Sequence, residues 1–600
     1  MQPLARLNEY FWKYRRLFFP GLLCAVASAG FAIVVPIVVR HAVDSIPAFV
    51  SRYRAVDGTD AESLLFGYFF GVLLLYAFLI VLLSLISGAF TFLMRQTIVV
   101  ASRHIEFDLR NALYAHLQLL PRGFYHGHST GDVITRATSD IEHVRRYVGP
   151  ALMYFSRAIV LVVTAIAVML IISPRLTFFA ILPMPLLAIS VFFLAHLVHS
   201  RSDAIQNQYS VLTSRVQEAL SGIRVIKAYT REESEARTFE HESAAYRARM
   251  LDLAMIDSTW RPVFLLLVGM STVIVVWVGG RLVMEGAITI GNIAEYMIYV
   301  ALMTWPVAAM GYVITMVQRA AASIARLNAI FDTDPEIADG PRTDPSITRM
   351  DGRVSFECVS FRFGADSDWV LRDVSFEAPA GSTLAIVGRT GSGKTTLVQL
   401  VPRMLEPVSG AVRIDGHDVS SIPLQVLRSS IGYVPQDVFL FSDSVANNIA
   451  FGTLQADEGE IVEAAREADL LENVQSFPDG FETSVGERGI TLSGGQKQRT
   501  SIARALIREP RILILDDALS AVDTNTERNI LGHLKQHYGR RTMIVVSHRI
   551  SAVRSADLIL VLDEGRIVER GRHDELLLQD GLYASMYRKQ LLEQELEAIS

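Results

Sequence analysis

The chain has 600 residues, of which 51% are hydrophobic, and a formal net charge of −6. That length exceeds what one hydrophobic core organises, so two or more domains are expected. The missing basic surplus, with no Lys/Arg block interleaved with aromatics, excludes a nucleic-acid partner. The two cysteines, Cys24 and Cys358, lie far apart without His-rich spacing, which excludes a zinc-type site and reads as two buried thiols.

From the N-terminus, Leu4 to Phe19 mixes Leu, Tyr, Trp and Phe with Arg and Lys, the composition of an amphipathic helix on a membrane surface; a solvated lead-in is the alternative. Uncharged stretches follow at Phe18 to Val39, Ser63 to Met94, Ala158 to Pro174, Leu176 to Ala195, Pro262 to Gly280 and Tyr296 to Gln318. Each approaches the roughly 20 apolar residues that cross a bilayer, so six spanning helices are expected. The first is too long for a signal-peptide core and reads as a retained anchor.

Arg and Lys crowd the segments before the first stretch, between the second and third, and between the fourth and fifth. The positive-inside rule puts those segments and both termini in the cytoplasm. The two long inward connections read as helical continuations of the spans. None of the six stretches contains a charged residue, so no proton relay or ion site is expected in the bilayer. The last one carries Tyr296, Met297, Tyr299, Met303, Trp305, Met310, Tyr312 and Met316, a stripe suited to an adaptable cavity for amphipathic compounds or to helix packing and lipid contact.

Pro335, Pro341 and Pro345 then preclude a continuous helix and mark a linker. The expected organisation is an α-helical six-span membrane domain over residues 1–331, a linker over 332–350, an α/β nucleotide-binding domain over 351–592 and a tail over 593–600.

Within the α/β part, the apolar run Ser382 to Val387 enters Gly388-Arg389-Thr390-Gly391-Ser392-Gly393-Lys394-Thr395, after which the composition turns helical. This is the strand, loop and helix of a phosphate-binding loop: the glycines turn backbone N–H groups onto phosphates, Lys394 neutralises their charge and Thr395 binds Mg²⁺. Ile512 to Leu515 is a second buried strand, and Asp516 at its end can hold Mg²⁺. Asp517 stands where a residue orients or deprotonates the attacking water. It is shorter than Glu by one carbon–carbon bond, about 1.5 Å, so hydrolysis there is expected to be slow.

Five motifs in order, the Gly388 loop, Val434-Pro435-Gln436, Leu492-Ser493-Gly494-Gly495-Gln496, Ser520-Ala521-Val522-Asp523 and Val546-Ser547-His548-Arg549, resemble the nucleotide-binding domain of ATP-binding cassette (ABC) proteins. With the six spans, the chain resembles an exporter half-transporter. The resemblance implies an ATPase coupled to transport, with ATP and Mg²⁺ between one subunit's phosphate loop (Gly388 to Thr395, with Thr396) and the other's Ser493, Gly494, Gly495 and Gln496. It implies Thr395, Gln436 and Asp516 on Mg²⁺, Asp517 and His548 at the γ-phosphate, Asp523 linking the two sites, and Phe363 stacking on adenine in place of the usual Tyr. A core aromatic is the alternative for Phe363.

Thr483 to Gly489 resembles the exporter segment that touches the cytoplasmic loops, with Ser484 replacing the usual Glu. Tyr125 to Thr138 and Thr230 to Phe239 would be the coupling helices.

Asp517 among otherwise intact motifs resembles one subunit of bacterial heterodimeric multidrug exporters of the inner membrane. The implied partners are a second half-transporter with Glu at that position, the lipid bilayer and a small hydrophobic or amphipathic substrate. A homodimeric lipid flippase or peptide exporter, and an ATP-gated regulator or channel, are the alternatives.

Overall fold

The computed structural model describes residues 2–55, 61–364, 366–535 and 539–599. The chain divides into two compact units: Met1–Gln118 with His128–Thr333, and Leu119–Gly127 with Asp334–Ser600.

In the first unit, six helices among the described residues are long and apolar enough to cross a membrane: Arg15–Ala55, Glu62–Leu119, Thr130–Ile172, Pro174–Leu194, Glu232–Met284 and Ile290–Phe331. The second belongs to one unbroken helix, Ala61–Leu119. At ~1.5 Å per residue it is about 90 Å long, far beyond the hydrocarbon thickness, as expected where the inward connections prolong the spans. Pro20, Pro36 and Pro47 lie inside the first helix, where neighbouring helices can satisfy the freed carbonyls. The third and fourth spans part at Ser173, whose extended backbone and side chain cap the helix beginning at Pro174.

The core of this unit gathers Ala29, Ile33, Leu161, Ala165, Met169, Leu176, Val275, Tyr296, Tyr299 and Met303. The Met and aromatic stripe of the last span is therefore divided. Tyr296, Tyr299, Met303 and Met316 are buried, whereas Met297, Trp305 and Tyr312 are exposed. The Tyr296 hydroxyl bonds Thr177 at 2.9 Å and the Met169 carbonyl, fixing the last span against the third and fourth.

Three expectations need correction. The last helix begins at Ile290 and so includes Glu295, which is fully buried and paired with Arg40 of the first helix at 3.4 Å. Both charges lie one residue beyond an uncharged stretch, and the helices take them in. Second, the lead-in is not one helix: it breaks at Tyr14 between Leu7–Lys13 and Arg15–Ala55. Asp108 holds that break, accepting from Lys13 at 2.5 Å and from the Tyr14 hydroxyl at 2.8 Å. Third, Cys358 is exposed, because β1 (Val354–Phe361) bulges there. Between the pairs Phe356–Phe376 and Val359–Val374, two residues of β1, Glu357 and Cys358, face the single Ser375 of β2, and Cys358 sits at φ 49°.

In the second unit, β1 pairs with β2 (Leu371–Ala378) and β4 (Ser409–Ile414), with β5 (His417–Asp418) beyond, in an antiparallel sheet ordered β2-β1-β4-β5. A six-stranded sheet runs β10-β9-β3-β8-β7-β6, comprising β3 (Thr383–Gly388), β6 (Ile431–Val434), β7 (Ile512–Asp516), β8 (Thr542–Val546), β9 (Leu558–Asp563) and β10 (Arg566–Gly571). It is parallel apart from the β10 edge. Its central strands are buried on both faces. Ala385, Val387, Leu513, Leu515 and Val545 join one core, while their neighbours Leu384, Ile386, Ile512, Ile514 and Ile544 join the other.

Residues 332–350 carry no helix or strand. The expected tail instead continues the helix Leu582–Ile599. Of the first expected coupling segment, only the start falls in this unit: Leu119–Gly127 belongs to it, and the helix Thr130–Thr135 belongs with the membrane helices.

Candidate functional site

Parallel strands bring β3 and β7 to one edge with β8 between them, Ile386 beside Val546 and Asp516 beside the same Val546. The loops leaving that edge therefore meet, as ligand-binding loops do in open α/β sheets. Gly388 leaves β3 at φ 153°, where a Cβ would lie 2.1 Å from the Leu562 carbonyl oxygen, and Gly393 at φ 97° would strike the Val370 carbonyl oxygen at 2.8 Å. Only glycine fits this loop.

A cavity of about 200 Å³ opens at this edge, lined among others by Gly391, Lys394, Thr395, Gln436, Asp517 and His548. Thr390, Gly393, Thr396 and Asp516 complete much of the wall. Gly388, Arg389 and Ser392 build the loop behind it. The Lys394 ammonium donates to the carbonyls of Gly388 at 3.0 Å and Arg389 at 2.8 Å. Its pKa is lowered by burial, against the opposing pull of Asp517 and Asp516. Ser392 is buried, and among the described residues its Oγ has no hydrogen-bond partner. A glycine loop, a buried cation and a spare hydroxyl suit a polyphosphate.

The Thr395 hydroxyl donates to Asp516 Oδ1 at 3.1 Å. Asp516 is 1% exposed, and burial raises its pKa. These hard oxygen donors, with Gln436 in the same wall, match Mg²⁺ chemistry, in which few protein ligands join phosphate oxygens and water. Asp517 sits at φ 50°, a left-handed conformation that Asp tolerates better than most residues. Its amide donates to the Val546 carbonyl at 2.9 Å, anchoring the carboxylate to β8. His548 leaves the end of β8 into the same cavity; burial, then Lys394, lowers its pKa, so its neutral form is favoured.

Phe363 is 67% exposed, whereas Phe356 and Phe361 are buried. It is not a core aromatic. It lines a neighbouring cavity of about 420 Å³ that shares Thr395 and Thr396 with the first, and its ring meets Phe361 edge-on at 5.0 Å.

Ser493 to Gln496 lies outside both cavities. Ser493 caps the helix Gly494–Leu506: its hydroxyl accepts from the Gln496 amide at 3.3 Å, and the Gln496 side chain accepts from the Ser493 amide at 2.9 Å. Gly495 has a further reason to be glycine, since its Cβ would lie 3.0 Å from the Ala521 carbonyl oxygen. Gln498 locks that approach, donating to Ser520 Oγ at 3.1 Å and accepting from the Ala521 amide at 3.0 Å. Asp523 caps its own helix through the amides of Asn525 and Thr526. In the Thr483 to Gly489 segment, Ser484 bridges to Ser444 through the backbone.

Tyr433 escaped the motif reading, and Arg549 stood in a motif without a role. Tyr433, on β6, donates from its hydroxyl to Asp516 Oδ2 at 3.2 Å, and burial followed by Asp516 pushes its pKa up. An aromatic in an apolar strand reads as core, and only the strand order places it against Asp516. Arg549 donates to the Ser520 and Val522 carbonyls and to Glu527 at 3.0 Å, tying the loop after Asp517 to the His548 turn.

A six-helix membrane unit joined to a cassette with this cavity defines a membrane ATPase coupled to transport. The ABC transporter transmembrane region model matches residues 18–307, and the ABC transporter model matches residues 371–520. The chain belongs to the ABC transporter family, as a half-transporter of the exporter type.

The probable multidrug resistance ABC transporter ATP-binding/permease protein YheI of Bacillus subtilis is 39% identical over 489 residues, covering 81% of this chain and 83% of that protein. The multidrug resistance-like ATP-binding protein MdlA of Escherichia coli is 34% identical over 598 residues, covering 100% and 98%. The ATP-dependent lipid A-core flippase of Chromohalobacter salexigens is 35% identical over 508 residues, covering 85% and 87%. The structure of a bacterial Atm1-family ABC exporter with ATP bound aligns with a TM-score of 0.78 at 27% identity, over 96% of this chain and 98% of that chain. The protein is thus a multi-pass membrane ATPase that binds ATP and drives export.

Proposed function

We propose that this chain is one subunit of a heterodimeric exporter of hydrophobic or amphipathic compounds, in the bacterial cytoplasmic membrane with its cassette and both termini inside. Its own phosphate loop belongs to a slow ATP site, and its Ser493 to Gln496 segment completes the partner's faster one. The partner carries Glu at the position of Asp517. The observation that carries this reading is the pairing of a shortened carboxylate in the phosphate cavity with an intact Ser493 helix outside it.

In this reading Phe363 stacks on adenine, the loop amides and Lys394 hold the phosphates, and Thr395, Asp516 and Gln436 would hold Mg²⁺. The ion neutralises charge on the phosphate oxygens when bound. Asp517 orients the attacking water from too far back, and neutral His548 donates to the γ-phosphate. Closure of two cassettes around ATP biases the membrane helices outward, and hydrolysis reopens them.

The decisive test is the intact mass of the complex from its native membrane: one copy plus a different chain of similar size supports the reading, whereas two copies of this chain sink it. Asp517→Glu is expected to raise ATPase activity about threefold, a modest gain because general-base placement is one factor among several; an unchanged rate counts against side-chain reach as the limit. Likeness to the lipid A-core flippase supports a second reading, a homodimeric lipid flippase, which the same mass measurement separates. Concentrative uptake into inverted vesicles distinguishes pumping from ATP-gated regulation.

A further inference from the structure

Strand β8 ends at Val546, and His548, just beyond it, reaches the phosphate cavity. A short helix, Ile550–Val553, begins at once, with Arg549 at its N-cap, and a guanidinium has no acceptor to offer the first amides. The amide of Ile550 belongs to a residue 1% exposed, and such a group left without an acceptor is costly. The acceptor comes from another helix. Gln590, on Leu582–Ile599, accepts from the Ile550 amide with Oε1 at 2.9 Å. Its Nε2 donates to the His548 carbonyl. A backbone amide only donates and a carbonyl only accepts, so the two partners fix which way the Gln590 amide faces.

The helix that carries Gln590 is itself held at its start. Glu569, on β10, accepts from the amides of Leu582 and Tyr583, a carboxylate where the helix dipole favours one. Tyr583 is fully buried, bonds His573 at 2.7 Å, and shares one hydrophobic core with Ile550, Ala552 and Val553. Gln590 follows about two turns later. Capping and packing therefore set where its amide stands, and that amide sets the backbone on both sides of Arg549. Arg549 grips Ser520, Val522 and Glu527 from the other side. Gln590 lines neither of the two cavities of the cassette site, so any effect it has on a nucleotide passes through the His548 turn.

We propose that Gln590 is a positioning residue for the γ-phosphate: through the backbone of residues 548 and 550 it aims the His548 imidazole, and so sets how strongly this chain's phosphate loop prefers ATP to ADP. This role rests on His548 donating to the γ-phosphate, as proposed above, and adds the helix that steers it. A donor misplaced by about 1 Å loses most of its contribution. ADP, which has no γ-phosphate, does not sense the change.

The test is nucleotide competition on the full complex in nanodiscs, with Mg²⁺ and on ice. 8-Azido-ATP is photolinked, the chains are separated, and the label on this chain is titrated with ATP or with ADP. A label carried through the adenine ring stays on the chain that stacks it, so the readout is the same with a like or an unlike partner chain. The ratio of half-competing ADP to ATP concentrations is expected to fall about tenfold in His548→Ala, the scale of a hydrogen bond to a charged group. It falls about fivefold in Gln590→Met, which keeps helix propensity and side-chain volume without the amide. The double variant matches His548→Ala alone, because Gln590 acts only through that imidazole. Gln590→Glu still accepts from the Ile550 amide and recovers part of the ratio. ADP competes equally in every variant, which shows that the cassette is folded; a merely structural role would weaken both nucleotides alike.

An unchanged ratio in Gln590→Met beside a reduced one in His548→Ala overturns the proposal and leaves the nucleotide site as described. A Gln590→Met loss that adds to that of His548→Ala, or that falls equally on ADP, also overturns it. An unchanged ratio in His548→Ala overturns the γ-phosphate role of His548 itself, and the steering by Gln590 with it.

Discussion

Around the phosphate loop the polar groups of four loops converge on one cavity, whereas at the Ser493 helix they turn on each other. Lys394, Thr395, Asp516, Asp517 and His548 share a wall. Ser493 and Gln496 cap one helix, and Gln498 is spent on Ser520 and Ala521. One face of the cassette is assembled to hold a ligand; the other is assembled to hold its own shape. A rigid, exposed, self-satisfied helix end is what a surface needs if its task lies on a neighbouring subunit.

The sharpest way to break that contrast is Gly495→Val. The added side chain must push Ala521 aside, and under the heterodimer reading it disables the competent site, so ATPase activity falls about 100-fold, as for loss of one transition-state donor. Lys394→Ala is expected to remove one of two bound nucleotides per complex but to lower ATPase only about threefold, because the faster site belongs to the partner's loop. Equal losses in the two variants would mean two equivalent sites. Tyr433→Phe deletes the bond to Asp516 and should raise the Mg²⁺ concentration for half-maximal ATP binding about three- to tenfold, leaving the Ser493 helix untouched.

The smallest effect is in pH. His548 has a folded pKa below its ordinary 6.5, so its contribution to stability is complete above about 6.5 and is lost as pH falls through the folded value. Between pH 7.5 and 5.5 the thermal midpoint of the complex in nanodiscs should fall about 1 °C less in His548→Gln than in the wild type. An equal fall in both would remove His548 from the account.

The phosphate loop was legible because its spacing answers a backbone demand: each glycine stands where a Cβ would strike a carbonyl oxygen or meet a positive φ. The six spans were legible by length alone. What escaped was whatever depends on neighbours distant in sequence. Arg40 and Glu295 each flank an uncharged stretch by one residue, and composition cannot say that the helix extends to include them. Tyr433 needed the β6-β7 pairing to become a partner of Asp516. Cys358 needed the β1 bulge to reach the surface.

The Arg40 and Glu295 pair has company at the same end of the bundle. Asp44 accepts from the Gly291 amide at 2.8 Å and from the Thr289 hydroxyl at 2.7 Å, and a Cβ on Gly291 would lie 2.4 Å from the Arg40 carbonyl oxygen. Separating these groups would strand a buried charge, at a cost of about 3–5 kcal/mol. The first and last spans are therefore riveted at that end and behave as one lever with a shared fulcrum, so any parting of these two helices during transport must come from their opposite ends.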